Sequence, residues 1–158
     1  LMAQRTIAET IVAVRGGGDL ATGTIQKLVH AGFKVLILET THPLMIRRTV
    51  ALGSAVLAKT ATVEDMTAVL ATEKNLEKVW ASGRVPAIID PDGVSLYKIK
   101  PQVLVDAILA KKNLGTKRNM APITIALGPG FVAPTDVNVA IETMRGHDLG
   151  RLIFRGRH

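Results

Sequence analysis

The chain has 158 residues, 47% of them apolar, with a mean hydropathy of +0.28, which is enough for one sizeable core and rules out a disordered chain. Its longest uncharged stretch, 119–135, contains Pro122, Pro129 and Pro134, so no membrane-spanning helix is expected there; the absence of cysteine excludes a disulfide framework, a thiolate metal site and a cysteine nucleophile. The net charge of +7 is spread along the chain and only 3% of residues are aromatic, so a stacked nucleic-acid partner is not expected.

Residues 1–10 read as an N-terminal extension in which the residue before Met2 is expected to be vector-derived. No basic segment followed by an apolar one marks a secretory signal, so a cytoplasmic protein is expected. Ile11-Val12-Ala13-Val14 is a strand-like run that stops at Gly16-Gly17-Gly18. Ala21, Ile25, Leu28 and Val29 then recur at helical spacing, with Gly32 as the stop, and Lys34 to Glu39 forms a second apolar strand. After His42-Pro43 the pattern predicts a helix over 44–58, with Thr49, Val50 and Val56 keeping a strand open as the alternative. Residues 63–71 alternate as a strand, and Thr72 is expected to cap a helix that carries Leu76, Val79 and Trp80 and ends at Gly83. Residues 85–89 and 103–105 are short strands, the first placed towards a sheet edge by Pro86. Residues 123–127, 137–143 and 152–154 complete the set. Strands apolar on both faces, alternating with helices, predict one α/β domain over 11–158, with a mostly parallel sheet covered on both faces.

In such sheets ligands bind beyond the carboxyl ends of the strands, where this sequence places 15–19, Glu39, Asp90, Asp106 and 128–130. Gly16-Gly17-Gly18-Asp19-Leu20-Ala21 matches Gly-x-Gly-x-x-Ala between a strand and a helix. Gly16 permits the tight turn, Gly18 lets a pyrophosphate approach the backbone, and Ala21 allows close helix packing. Glu39, at the end of the second strand, is placed to accept from ribose hydroxyls. This predicts a Rossmann-like domain whose cofactor contacts are Gly16, Gly17, Gly18, Asp19, Leu20, Ala21, Thr22 and Glu39. The alternative is a bare turn that binds nothing.

Asp19 reads as a helix-capping acid or as a group facing a reactant or cation. The Gly-Gly-Gly-Asp-x-Ala string resembles the nucleotide domain of siroheme synthases, which oxidise a tetrapyrrole with NAD and insert iron. Gly128-Pro129-Gly130 reads as a backbone nest for a second anion or as a plain turn. Arg145 and His147 suit an oxyanion or a solvated surface. Lys111-Lys112 reaches the same crevice or ends a helix, and Arg47-Arg48 clamps a 2′-phosphate or an adenine or lies in solvent. No metal site is expected.

Several strings join into one pattern: Arg15-Gly-Gly-Gly-Asp-Leu-Ala-Thr-Gly23, Pro43 with Ile46-Arg47-Arg48-Thr49-Val50, Val105-Asp106-Ala107-Ile108 to Gly115-Thr116, Gly128-Pro129-Gly130-Phe131, and Ile141-Glu142-Thr143-x-Arg145-Gly146-His147-x-Leu149-Gly150-Arg151. Together they resemble the YqeB family of selenium-dependent molybdenum hydroxylase accessory proteins, over nearly the whole chain. The resemblance implies a role in maturing a xanthine dehydrogenase-type enzyme, related to that of the XdhC maturation factors. It marks the 16–23 loop, Asp106, Gly128 to Gly130, Arg145 and His147 as ligand contacts. It also implies a further C-terminal region, because family members continue beyond the Leu-Gly-Arg-Leu-Ile segment.

The first expectation is therefore a maturation protein that binds a nucleotide, NAD(P) or a molybdopterin dinucleotide, and meets a molybdenum hydroxylase client. One alternative is an NAD(P)-dependent oxidoreductase with Asp19 or His147 as acid/base groups. Another is a non-enzymatic scaffold that holds the client through its Lys/Arg surface. Without a cysteine, these residues hold no persulfide or selenosulfide of their own.

Overall fold

The computed structural model describes residues 6–43 and 48–157. The β-branched run of the first strand becomes β1 (Ile11–Arg15), which is followed by α1 (Asp19–His30) and β2 (Lys34–Glu39). Gly32, at φ +99, lets the chain reverse between α1 and β2 where a side chain would be strained.

The segment after β2 departs from expectation. Instead of one helix over 44–58, residues 48–50 and 52–54 form separate 3₁₀ turns and α2 (Ala55–Ala58) is a single turn; residues 44–47 lie outside the described residues. The cause is tertiary. The Leu52 amide donates to Thr22 Oγ1 at 3.0 Å and the Gly53 amide to the Gly17 carbonyl at 2.8 Å, so both are withdrawn from helical hydrogen bonding.

Next come β3 (Thr60–Val63) and β4 (Met66–Leu70), an antiparallel hairpin where the sequence pattern predicted one strand. Glu64, at φ +54, makes the turn between them. The helix α3 (Leu76–Ala81) begins after Asn75 and not after Thr72, whose amide donates to Asn75 Oδ1 at 2.9 Å. Then follow β5 (Val85–Ile89), α4 (Leu96–Ile99), β6 (Val103–Asp106), β7 (Ile123–Leu127), β8 (Val132–Ala133), β9 (Val139–Ile141), β10 (Leu152–Ile153) and β11 (Gly156–Arg157).

Nine strands form one sheet in the order β10-β9-β7-β6-β1-β2-β5-β4-β3, and β8 pairs separately with β11. The strands from β9 to β4 run parallel, with antiparallel pairing only at the two edges. This is a Rossmann-like α/β fold. Strand β5 is interior, contrary to the edge position expected from Pro86. The proline is tolerated because pairing with β2 begins only at Ala87, one residue later, so its missing N–H falls outside that ladder.

Alternation along β1 and β2 divides the core into two layers. Val12, Val14, Val35 and Ile37 pack with Ala21 and Ile25 of α1 and with Leu52 and Ala55, whereas Ala13, Leu36 and Leu38 pack with Leu76 and Val79 of α3 and Leu96 of α4. Each fully buried aliphatic side chain contributes about 1.5–3 kcal/mol of transfer free energy. No helix among the described residues is long and apolar enough to cross a membrane.

Candidate functional site

The chain leaves β1 towards β2 on one side and later returns through β6 on the other. That reversal opens a crevice above the carboxyl ends of β1 and β6, the position where open α/β sheets bind ligands. A cleft of about 750 Å³ occupies it, lined by residues from 15–21, 38–43, 90–92 and 107–114. Among the expected contacts Gly16, Gly18, Asp19, Leu20, Ala21 and Glu39 all line this cleft, joined by Arg15, His42, Asp90 and Asp92.

The three consecutive glycines have different reasons to be glycine. Gly16 sits at φ +93 with the Ala107 carbonyl 3.0 Å from where a Cβ would stand. At Gly17 a Cβ would lie 2.6 Å from Gly53 Cα, so two backbones meet there without room for a side chain. At Gly18 the backbone is extended and a Cβ would meet nothing within 4 Å. Packing explains the first two, and of the three only Gly18 leaves space that no described residue fills.

The helix that follows leaves donors free. No acceptor among the described residues takes the amides of Gly18, Asp19 or Ala21, and the Leu20 amide donates to Asp19 Oδ1 at 3.0 Å. Thr22 is buried and organises the loop from behind: its hydroxyl donates to the Gly18 carbonyl at 2.7 Å while accepting from the Leu52 amide. Thr22→Val should therefore cost about 1.5 kcal/mol, because it strands a buried amide, and should lower the urea midpoint at unchanged m-value.

Glu39 has a second role beside the ribose contact expected for it. Its Oε2 accepts from the Gly17 amide at 2.8 Å and its Oε1 from the Thr40 amide at 3.0 Å. The carboxylate is thereby fixed against the glycine loop, and the Gly17 amide is not open to an anion. Among the described residues, four carboxylates (Asp19, Glu39, Asp90 and Asp92) line the cleft against one guanidinium, Arg15. Among the described residues no group of three or more His, Asp or Glu side chains is arranged to hold a metal ion.

Other expected contacts fall elsewhere. Asp106 is 1% exposed; its Oδ2 accepts from Thr116 Oγ1 at 2.5 Å and its Oδ1 from the Ile108 amide at 3.1 Å, so it builds the wall behind the cleft instead of reaching a ligand. Gly128 and Gly130 form no open nest: a Cβ would meet Leu109 Cδ2 at 3.0 Å and Lys112 Cα at 2.7 Å, respectively, so both pack against the loop after β6. Arg145 and His147 are exposed on the turn between β9 and β10 and are not among the residues lining the cleft. Lys111 and Lys112 are exposed on the loop after β6, outside that lining. Arg47 lies outside the described residues, as does the side chain of Arg48.

A second groove of about 660 Å³, lined by Leu70, Ile89 and Val94, lies beyond the 90–95 turn. Of the carboxylates in its lining, Asp90 is already taken by the amides of Val94 and Ser95 and by the Ser95 hydroxyl, and Glu73 stands 3.9 Å from Lys98 Nζ. The sequence reading missed Gly53, Leu109, Leu114 and Thr116. Gly53 carried a signal as a glycine among small residues beside the loop it supports, and Leu109, Leu114 and Thr116 lay inside the 105–116 string without being singled out.

Fold and crevice together define a protein of the Rossmann-like α/β class with an open cleft at a topological switch point. Over 147 residues, 92% of its length, the chain is 50% identical to the uncharacterized protein YqeB of Escherichia coli (strain K12). The chain spans 27% of the length of that relative. No family model and no solved structure matches the chain.

Proposed function

We propose that this chain is the cofactor-binding part of an accessory protein that matures a selenium-dependent molybdenum hydroxylase, and that it takes a dinucleotide, NAD or a molybdopterin dinucleotide, in the switch-point cleft. The observation that carries the cleft assignment is Gly18: an extended glycine with no described residue in the space above it, beside the amides of Asp19 and Ala21, which have no acceptor among the described residues, at the start of a 12-residue helix. A pyrophosphate would be held by those amides, and a ribose by the lone pairs of Glu39 that Gly17 and Thr40 leave free. The maturation role rests on the resemblance to the YqeB family. Bound NAD would supply hydride chemistry; a bound molybdopterin dinucleotide would make the chain a carrier.

The charge of the lining refines the ligand class. Among the described residues, four carboxylates against one guanidinium disfavour highly charged anions. NAD should therefore bind more tightly than NADP or ATP, each of which brings additional phosphate charge. The oxidoreductase alternative with His147 as acid/base has no support in the geometry, because that imidazole is exposed outside the cleft lining.

A thermal-shift panel of NAD, NADP, ATP, CTP and molybdopterin dinucleotides tests the reading. A ligand present at 100 times its dissociation constant should raise stability by about 2.7 kcal/mol. If no dinucleotide shifts the transition at millimolar concentration, the cleft assignment fails. The maturation role is tested separately, in cells lacking the gene: the client hydroxylase polypeptide should accumulate without selenium and without activity, and a fully active hydroxylase would refute the role.

A further inference from the structure

Arg15 ends a buried apolar strand with a charged side chain. At 4% exposure its guanidinium must find its acceptors inside the protein. It finds them on two different loops. Nη2 donates to the carbonyls of Pro91 at 2.8 Å and Leu114 at 3.2 Å, and Nη1 donates to Thr116 Oγ1 at 2.7 Å. Pro91 belongs to the turn after β5, and Leu114 and Thr116 to the loop after β6. Pro91 and Leu114 both line the cleft. Strands β5 and β6 are separated in the sheet by β2 and β1, so no ladder joins these two loops to each other.

The loop after β6 needs such a hold. It carries Leu109 at φ +59, a left-handed conformation that is unfavourable for leucine, on the wall of the cleft. Asn113 clips the loop internally, its Oδ1 accepting from the Thr116 amide at 2.8 Å and its Nδ2 donating to the Thr116 carbonyl at 2.9 Å. The Thr116 hydroxyl accepts from Arg15 and donates its own hydrogen bond to Oδ2 of Asp106, the residue opposite Arg15 in the β1–β6 ladder.

We infer that Arg15 is a positioning residue that sets the width of the cleft by tying its two lips together across the switch point, with Thr116 as the joint that anchors the tie to β6. The tie holds whichever ligand enters, so it stands independently of the dinucleotide reading. A guanidinium suits the task because its planar fork addresses three acceptors at fixed angles, which a lysine ammonium on a flexible stem does not.

The test is amide hydrogen exchange on the full chain without ligand, comparing the wild type with Arg15→Lys, Thr116→Val and Thr116→Ser. Arg15→Lys keeps the charge and should speed exchange about tenfold in both 92–95 and 107–116, leaving the amides of β1, β2 and β6 near wild-type rates. Thr116→Val should loosen the same two segments to a smaller extent, and Thr116→Ser, which restores the hydroxyl, should return both to wild-type rates. Unchanged exchange in the two loops would overturn the inference. So would acceleration confined to one lip in both Arg15→Lys and Thr116→Val, or a uniform rise that includes the central strands.

Discussion

Gly17→Val and Gly18→Thr, substitutions at adjacent glycines of one loop, are expected to fail in opposite ways. Gly17→Val should lower stability by about 3 kcal/mol, at the upper end of ordinary overpacking costs, because the new Cβ would lie 2.6 Å from Gly53 Cα and neither backbone has a rotamer with which to yield. The amide of Gly53 is itself bonded to the Gly17 carbonyl, so moving apart also breaks that bond. Gly18→Thr should leave stability within about 0.5 kcal/mol, since threonine and glycine are comparable N-caps and no described residue stands within 4 Å of the new Cβ. The same threonine fills the space above the helix start and turns its hydroxyl to the free amides. NAD affinity should then fall at least about tenfold, or 1.4 kcal/mol. Urea denaturation and calorimetric titration with NAD, run on both variants, separate the two outcomes. Wild-type NAD affinity in Gly18→Thr would remove Gly18 from the site.

The second large effect concerns Asp106. Asp106→Ala should destabilise the chain by about 3 kcal/mol, because it leaves the buried Arg15 guanidinium with no carboxylate in its network and leaves the Thr116 hydroxyl and Ile108 amide without acceptors. Asp106→Asn keeps an oxygen acceptor and loses the charge, so its loss should be smaller. The control is Asp148→Ala, which removes an exposed partner of Arg151 at 3.6 Å and should change stability by less than about 0.5 kcal/mol. Equal losses for Asp106→Ala and Asp148→Ala, measured as urea midpoints, would refute the buried network as a source of stability.

The two predictions bear on the same cleft from different sides. Gly18 faces the space a ligand would occupy, whereas Gly17 and Asp106 hold the walls that define it. A loss of ligand affinity in Gly17→Val would therefore accompany a loss of fold, and only Gly18→Thr reports on the ligand alone.

Much of this architecture is legible along the chain, because β-strand and helix periodicity are local properties. The strand–helix–strand unit from Ile11 to Glu39, the glycine turn within it and the later strands at 85–89, 103–105 (one residue longer in the fold) and 123–127 follow from apolar runs punctuated by glycine and acid. The position of Glu39 beside the glycine turn follows from the same unit, since parallel pairing of β1 with β2 brings their carboxyl ends together.

Contacts between distant segments decided the rest. The segment after β2 is broken into short turns because Leu52 and Gly53 spend their amides on Thr22 and Gly17, some thirty residues earlier. Pro86 sits in an interior strand because pairing with β2 starts one residue beyond it. Asp106 lies behind the cleft, and Arg145 and His147 lie outside its lining, because sequence marks a polar residue near a strand end without specifying which way the following loop turns. Taken alone, the sequence determined the class of fold and the loop at which a dinucleotide would be sought. Only the tertiary structure decided which of the three glycines is open, where the carboxylates point, and that Arg15 joins the two lips, since each depends on backbones that meet only when the sheet has formed.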